Sequence, residues 1–180
     1  FTFTDRFRTT GVGANLKLGV IYRPKDFFRL GFAIHTPDIM FLTDTRNSRL
    51  ETRLENPVSN FAVNSGTFTN NQEGESQYTQ TTAWKALLSA SYVFREVENV
   101  KKQRAFITAD VEYVHHRASR FSSANEDPTA EEKAYYKSLN KVVKNDYKGT
   151  FNFKVGAEVK FHVVMARLGF AHYTNPYRDP

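Results

Sequence analysis

The chain has 180 residues, no cysteine, 25 basic against 19 acidic residues and a net charge of +6. That length suits one domain or part of a larger one, and the absence of cysteine excludes a disulfide framework, a thiolate metal site and a cysteine nucleophile. No run approaches the roughly 18 apolar residues of a membrane-spanning helix. Low mean hydropathy does not exclude a membrane protein built of strands, because only every second residue of such a strand faces lipid. The basic residues are scattered and match no nucleic-acid motif, so a nucleic-acid partner is not expected. The chain opens at Phe1 without an initiator methionine or a leader, which reads as processing or truncation and says little about compartment.

Taken in order, residues 1–12 combine Phe-Thr-Phe-Thr with the glycines 11 and 13, as at the end of a strand followed by a loop. Residues 15–22 alternate: Leu16, Leu18, Val20 and Tyr22 share one face, Asn15, Lys17, Gly19 and Ile21 the other. Arg23-Pro24-Lys25-Asp26 predicts a tight turn with proline at its second position. A second strand covers 28–36 and ends at Pro37, which cannot donate to a ladder. Residues 38–83 read as a long polar loop with traces of strand at 39–43, 49–54 and 77–81.

Strands follow at 84–94 and 105–114, joined by a short charged connection at 96–103. The stretch 117–149 is a second long loop. Within it, Thr129 three residues before Glu132 forms a capping box, and Tyr135, Leu139, Val142 and Val143 follow at helical spacing. Strands at 150–161 and 164–173, joined by a very tight turn at His162, complete the pattern.

Six strands of about ten residues are thus joined by alternately short and long connections. Antiparallel strands crossing a membrane have short turns on one side and long loops on the other, and about ten residues is the length of a tilted crossing. The fold expected is all-β: an antiparallel meander forming a single partial transmembrane β-barrel domain over 1–180, with long extracellular loops and one loop helix.

One face carries Leu16, Leu18, Val20, Phe28, Leu30, Phe32, Ile34, Leu88, Ile107, Val111, Phe151, Phe153, Val155, Val159, Val164, Leu168 and Phe170, with Tyr22, Trp84, Tyr92, Phe94, Tyr113 and Phe161 near strand ends. Such aromatic girdles suit the headgroup level of a barrel, though aromatics also favour strands in general. The other face carries Lys17, Arg29, His35, Lys85, Asp110, Glu112, Lys154, Glu158, Lys160 and Arg167. Lys17, Arg29, Asp110, Glu112, Lys154, Glu158 and Arg167 are expected to form a lumen charge network, either structural or lining a polar path.

Enzymatic chemistry is not expected. Asp110 and Glu112 share a face, but nothing completes an acid–base site around them. His115 and His116 point opposite ways in a strand, and His35, His162 and His172 lack metal-ligand spacing. Gly11-Val12-Gly13 lacks the third glycine of a dinucleotide loop. No catalytic residue, metal or cofactor is assigned.

The run from Gly11 through Asn15 to Tyr22-Arg23-Pro24, followed by Phe28-Arg-Leu-Gly-Phe-Ala-Ile-His-Thr-Pro37, resembles the outer-membrane FadL/TodX family, particularly its Bacteroidetes members. Tyr147-Lys-Gly-Thr-Phe-Asn-Phe-Lys-Val-Gly-Ala-Glu158, Arg167-Leu-Gly-Phe-Ala-His-Tyr173 and Asn175-Pro-Tyr177 resemble the late strands of the same family. The likeness spans residues 11–177, and the order and spacing of its motifs carry it. It implies a monomeric barrel of the bacterial outer membrane, in contact with outer-membrane lipid. Such a barrel passes hydrophobic compounds, such as long-chain fatty acids or aromatic hydrocarbons, by passive diffusion. The family's N-terminal hatch, with its Asn-Pro-Ala signature, and its last strands are not in this chain, and six strands cannot close so large a barrel.

On that basis the expected ligand contacts are Ile39, Met40, Phe41 and Leu42 beyond Pro37, and Tyr135, Leu139 and Val142 of the loop helix. The Ile39–Leu42 run reads equally as a packed loop base. A general porin or structural barrel, and a soluble lipid-binding β-barrel, are the competing readings.

Overall fold

A computed structural model describes residues 1–52, 61–94, 104–161 and 164–178. The elements run β1 (Thr2–Ala14), β2 (Lys17–Lys25), β3 (Phe28–His35), β4 (Ile39–Thr52), β5 (Phe61–Asn64), β6 (Gly74–Thr81), β7 (Lys85–Phe94), β8 (Ala105–His115), β9 (Arg120–Ser123), α1 (Ala130–Asp146), β10 (Gly149–Phe161) and β11 (Val164–His172). The protein is mostly antiparallel strand, in two sheets, with one α-helix among the described residues. Contacts divide the chain into two compact units. The first holds Phe1–Gly13, Met40–Gln80 and Phe121–Tyr136; the second holds Ala14–Ile39, Thr81–Arg120 and Lys137–Pro180.

The second unit contains a six-stranded sheet in the order β11-β10-β8-β7-β3-β2. All six expected strands are here, each within a few residues of its expected limits. The sheet does not close on itself: β2 and β11 are its edges. The turn after β2 falls later than expected. The strand continues to Lys25 with a register shift between Tyr22 and Lys25. Pro24 is tolerated because β2 is an edge strand, where a missing N–H breaks no ladder. Arg23 then pairs with Asp26 at 3.2 Å across the turn. The connection at 96–103 and the turn at His162 lie outside the described residues.

The first unit corrects the reading of residues 38–83 and 117–149 as loops. Its sheet runs β1-β4-β6-β9, with β5 also on β4. Of residues 1–12, expected as a strand end and a loop, all but Phe1 lie within the 13-residue β1. The traces at 39–43 and 49–54 belong to the 14-residue β4, with residues 53 and 54 outside the description. Both faces of β4 are largely polar, so hydrophobic alternation is faint. Its threonines, 43, 45 and 52, instead supply β-branched strand preference. Gly11 is needed at its position: a Cβ there would meet the Phe41 carbonyl and sit 2.8 Å from Leu42 Cδ2.

The helix begins as its capping box prescribes. Glu132 N donates to Thr129 Oγ1 at 3.2 Å, and Thr129 N donates to Glu132 Oε2 at 2.9 Å, satisfying two end groups reciprocally. Its less exposed stripe is Glu132, Tyr136, Leu139, Asn140 and Val143.

Very little is fully buried. In the second unit Val93, Val114, Val143, Thr150 and Asn152 are inside, with Val114 and Thr150 directly opposite each other across β8 and β10.

Candidate functional site

Register sorts the six-stranded sheet into two unlike faces. On one, Leu18, Ile34, Ala86, Tyr113 and Phe151 stand in a cross-strand row, and Val20, Phe32, Leu88, Val111 and Phe153 in the next. Along this face most large side chains are exposed, up to 81% at Leu168, while Leu30, Trp84, Val111 and Tyr113 are half-buried. With well over a dozen exposed large side chains, the open apolar area is on the order of 1,000 Å², about twice the largest patch of a typical soluble monomer.

Aromatic rings gather at both ends of this face. Trp84 lies 5.4 Å from Tyr113, which lies 5.0 Å from Phe151. His115 stacks on Trp84, and its Nδ1 is 2.9 Å from the Tyr113 hydroxyl. At the other end Tyr92 contacts Phe27 at 5.3 Å and Phe94 at 4.9 Å. Trp84 to Phe94, and Phe151 to Phe161, each span ten residue steps. That is about 33 Å along a strand, or ~23 Å of height at a tilt of about 45°.

The opposite face is polar. Lys17, His35 and Lys85 oppose one another on β2, β3 and β7. Glu112 accepts from Asn152 Nδ2 at 2.9 Å and pairs with Lys154 at 3.7 Å. Lys154 also sits 5.7 Å from the Tyr173 ring centre, and Arg167 pairs with Glu158. The structure therefore brings Glu112, Lys154, Glu158 and Arg167 into ion pairs, and places Lys17, Arg29 and Asp110 on the same face. A shallow depression of about 320 Å³ lies between Phe106, Thr108, Gly156 and the Glu158–Arg167 pair.

The start of this sheet is tied together by Asp38. Its carboxylate accepts from Asn15 Nδ2 and from Thr82 Oγ1 at 3.1 Å, and its backbone N–H donates to Thr82 Oγ1 at 2.8 Å. These bonds, led by that from Asn15, hold the Asp38 carboxyl below the ordinary carboxylate range, helped by the charges of Lys17 and Lys85 and opposed by partial burial.

In the first unit a different set of residues converges. Asp5 receives Arg46 Nε and Nη2 at 3.0 and 2.9 Å and Ser48 Oγ at 2.7 Å, so its carboxyl titrates low, chiefly through Arg46. Thr9 Oγ1 donates to Asp44 at 2.7 Å. These side-chain contacts put the odd residues of β1 and the even residues of β4 on one face, with Phe3, Phe7, Leu42 and Leu50 among them. Tyr78 and Phe121 rings lie 6.2 Å apart. Burial pushes the Tyr78 hydroxyl up, as do the Asp44 carboxylate it approaches and nearby Tyr136. Tyr136 is likewise raised, first by burial.

The expected ligand contacts are split by this geometry. Met40 and Leu42 stand on the Asp44 face of β4, whereas Ile39 and Phe41 alternate to the other and are 48% and 58% exposed. On the helix, Tyr135 and Val142 lie on the exposed side; Tyr136, Leu139 and Val143 form the covered stripe. Leu139 and Val142 belong to the second unit. Ile39 belongs to it as well, whereas Met40, Phe41, Leu42 and Tyr135 belong to the first. Sequence reasoning missed Tyr78, Phe121 and Tyr136. The strand trace at 77–81 carried Tyr78, and shifting the helical stripe by one residue selects Tyr136.

No protein-family model, curated protein or solved structure matches the chain.

Proposed function

We propose that the chain is part of an outer-membrane β-barrel that passes hydrophobic compounds by diffusion. Its six-stranded sheet would present the apolar face to lipid and the ion-paired face to the lumen. The observation that carries this reading is the open apolar face bounded by aromatic rings at both ends. A face of that area left in water forgoes roughly 25 cal/mol per Å² of burial, which lipid would supply. The ~23 Å between the rings is close to the apolar band of about 25 Å on such barrels. Capture of the compound falls to the Asp44 face of the first unit, with Leu42, Tyr78, Phe121 and Tyr136.

Trp84 is the only tryptophan, so its fluorescence reports on one end of the apolar face. In vesicles of brominated phosphatidylcholine its emission should shift to the blue, and bromines near the headgroup should quench it more than bromines at the chain ends. Unshifted, unquenched emission from folded protein would overturn the membrane reading. Vesicles containing the protein should take up a neutral hydrophobic compound such as toluene saturably. Swelling in small polar solutes with no saturable apolar uptake would favour a general porin.

A further inference from the structure

Asp44 is an unusual presence on an aromatic face. Its one cation neighbour along β4, Arg46, is committed to Asp5 through two hydrogen bonds. Among the described residues no cation forms an ion pair with Asp44; its partners are neutral hydroxyls, Thr9 Oγ1 at 2.7 Å and the approaching Tyr78. A carboxylate has about four acceptor sites, so these partners leave accepting capacity. Beside it stands Tyr78, whose ring lies 6.2 Å from that of Phe121 and which has Tyr136 nearby. The surface thus offers flat apolar contact around an anionic acceptor.

We infer that the Asp44 face takes neutral aromatic compounds that carry a hydroxyl donor, and turns away carboxylates. The phenolic O–H would donate to Asp44 while the ring packs against Tyr78 and Phe121. A carboxylate in the same place would meet the negative charge of Asp44, which no cation among the described residues pairs, and offer no proton. A plain hydrocarbon would gain the ring contacts alone. The inference rests on the capture role proposed above and chooses between its substrate classes: hydroxylated aromatics rather than fatty acids.

The test compares p-cresol, toluene, benzoate and benzyltrimethylammonium on the full chain in detergent, followed by the NMR signals of Tyr78 and Phe121. A hydrogen bond to a charged acceptor should make p-cresol bind about tenfold more tightly than toluene, with benzoate weakest. Asp44→Asn should shrink the cresol-to-toluene ratio and relieve the bar to benzoate; Leu50→Ala, on the same face but distant in sequence from Asp44, should leave the ratio unchanged. Should Asp44→Asn not fold, the ranking of the four probes on the unaltered chain still decides. Benzoate matching p-cresol, a ratio unmoved in folded Asp44→Asn, or benzyltrimethylammonium binding most tightly would each overturn the assignment, the last in favour of an organic-cation site. Toluene binding as well as p-cresol sinks the hydroxyl assignment while leaving apolar capture standing; no binding by any probe sinks both.

Discussion

Thr150 is 2% exposed, and its hydroxyl has no hydrogen-bond partner among the described residues. An unsatisfied buried hydroxyl costs about 1–3 kcal/mol, and valine has nearly the same shape with better strand preference. Thr150→Val is therefore expected to raise stability by about 1 kcal/mol, read from the urea midpoint. Asp38 makes the opposite case, a polar group whose bonds favour its charged form. Its folded pKa lies below its unfolded value, so its contribution is complete above the unfolded pKa and is lost as pH falls through the folded one. Asn15→Ala removes the leading bond. The Asp38 carboxyl should then titrate at higher pH in an NMR titration, and acid unfolding should begin at higher pH. Neither residue was legible as special in the sequence: Asp38 looked like loop, and Thr150 looked like one more β-branched strand residue. Their roles come from partners 44 and 36 residues away, contacts that period-two reading does not reach.

At the scale of the strand, legibility followed polarity. In β7 and β10 the alternation sets Leu88 against Ser89 or Phe151 against Asn152, so a period of two assigned those apolar side chains to their observed face, though it left Leu87 and Val93, on the polar face, unassigned. In β4 both faces carry threonine, asparagine, arginine or aspartate, and the same test returned a loop. The helix was legible through Thr129 and Glu132, whose spacing is a local instruction. Of the residues read at helical spacing, Leu139 and Val143 lie on its covered side, whereas Tyr135 and Val142 are exposed and Tyr136 is covered, because Tyr135 and Tyr136 are equally aromatic and only neighbouring contacts distinguish them. Leu88 and Ser89 are adjacent but face opposite ways, and so test the proposed lipid face directly. Leu88→Arg should destabilise membrane-folded protein by ~2–4 kcal/mol, the cost of a cation near the midplane of a barrel wall, whereas Ser89→Arg should cost far less. Urea unfolding from vesicles measures both; equal costs would contradict the assignment of faces.

For the whole molecule, pairing order has a consequence in time. The hairpins β2–β3, β7–β8 and β10–β11 join neighbours in sequence. By contrast, His35 and Lys85 meet across β3 and β7 only after about fifty residues of chain have been gathered in, and His115 meets Gly149 after about thirty-four. Loop-closure entropy places those two seams after the hairpins. Ala33→Gly and Leu87→Ala, at one pair of the β3–β7 seam, should speed unfolding and leave the refolding rate nearly unchanged if the seam forms after the rate-limiting barrier. Stopped-flow refolding reads this directly, and a slowed refolding limb would place the seam in the nucleus. The sheet would then assemble as a set of clasps fastened late, each waiting on the excursion it spans, so that the apolar face is whole only when the last of them closes.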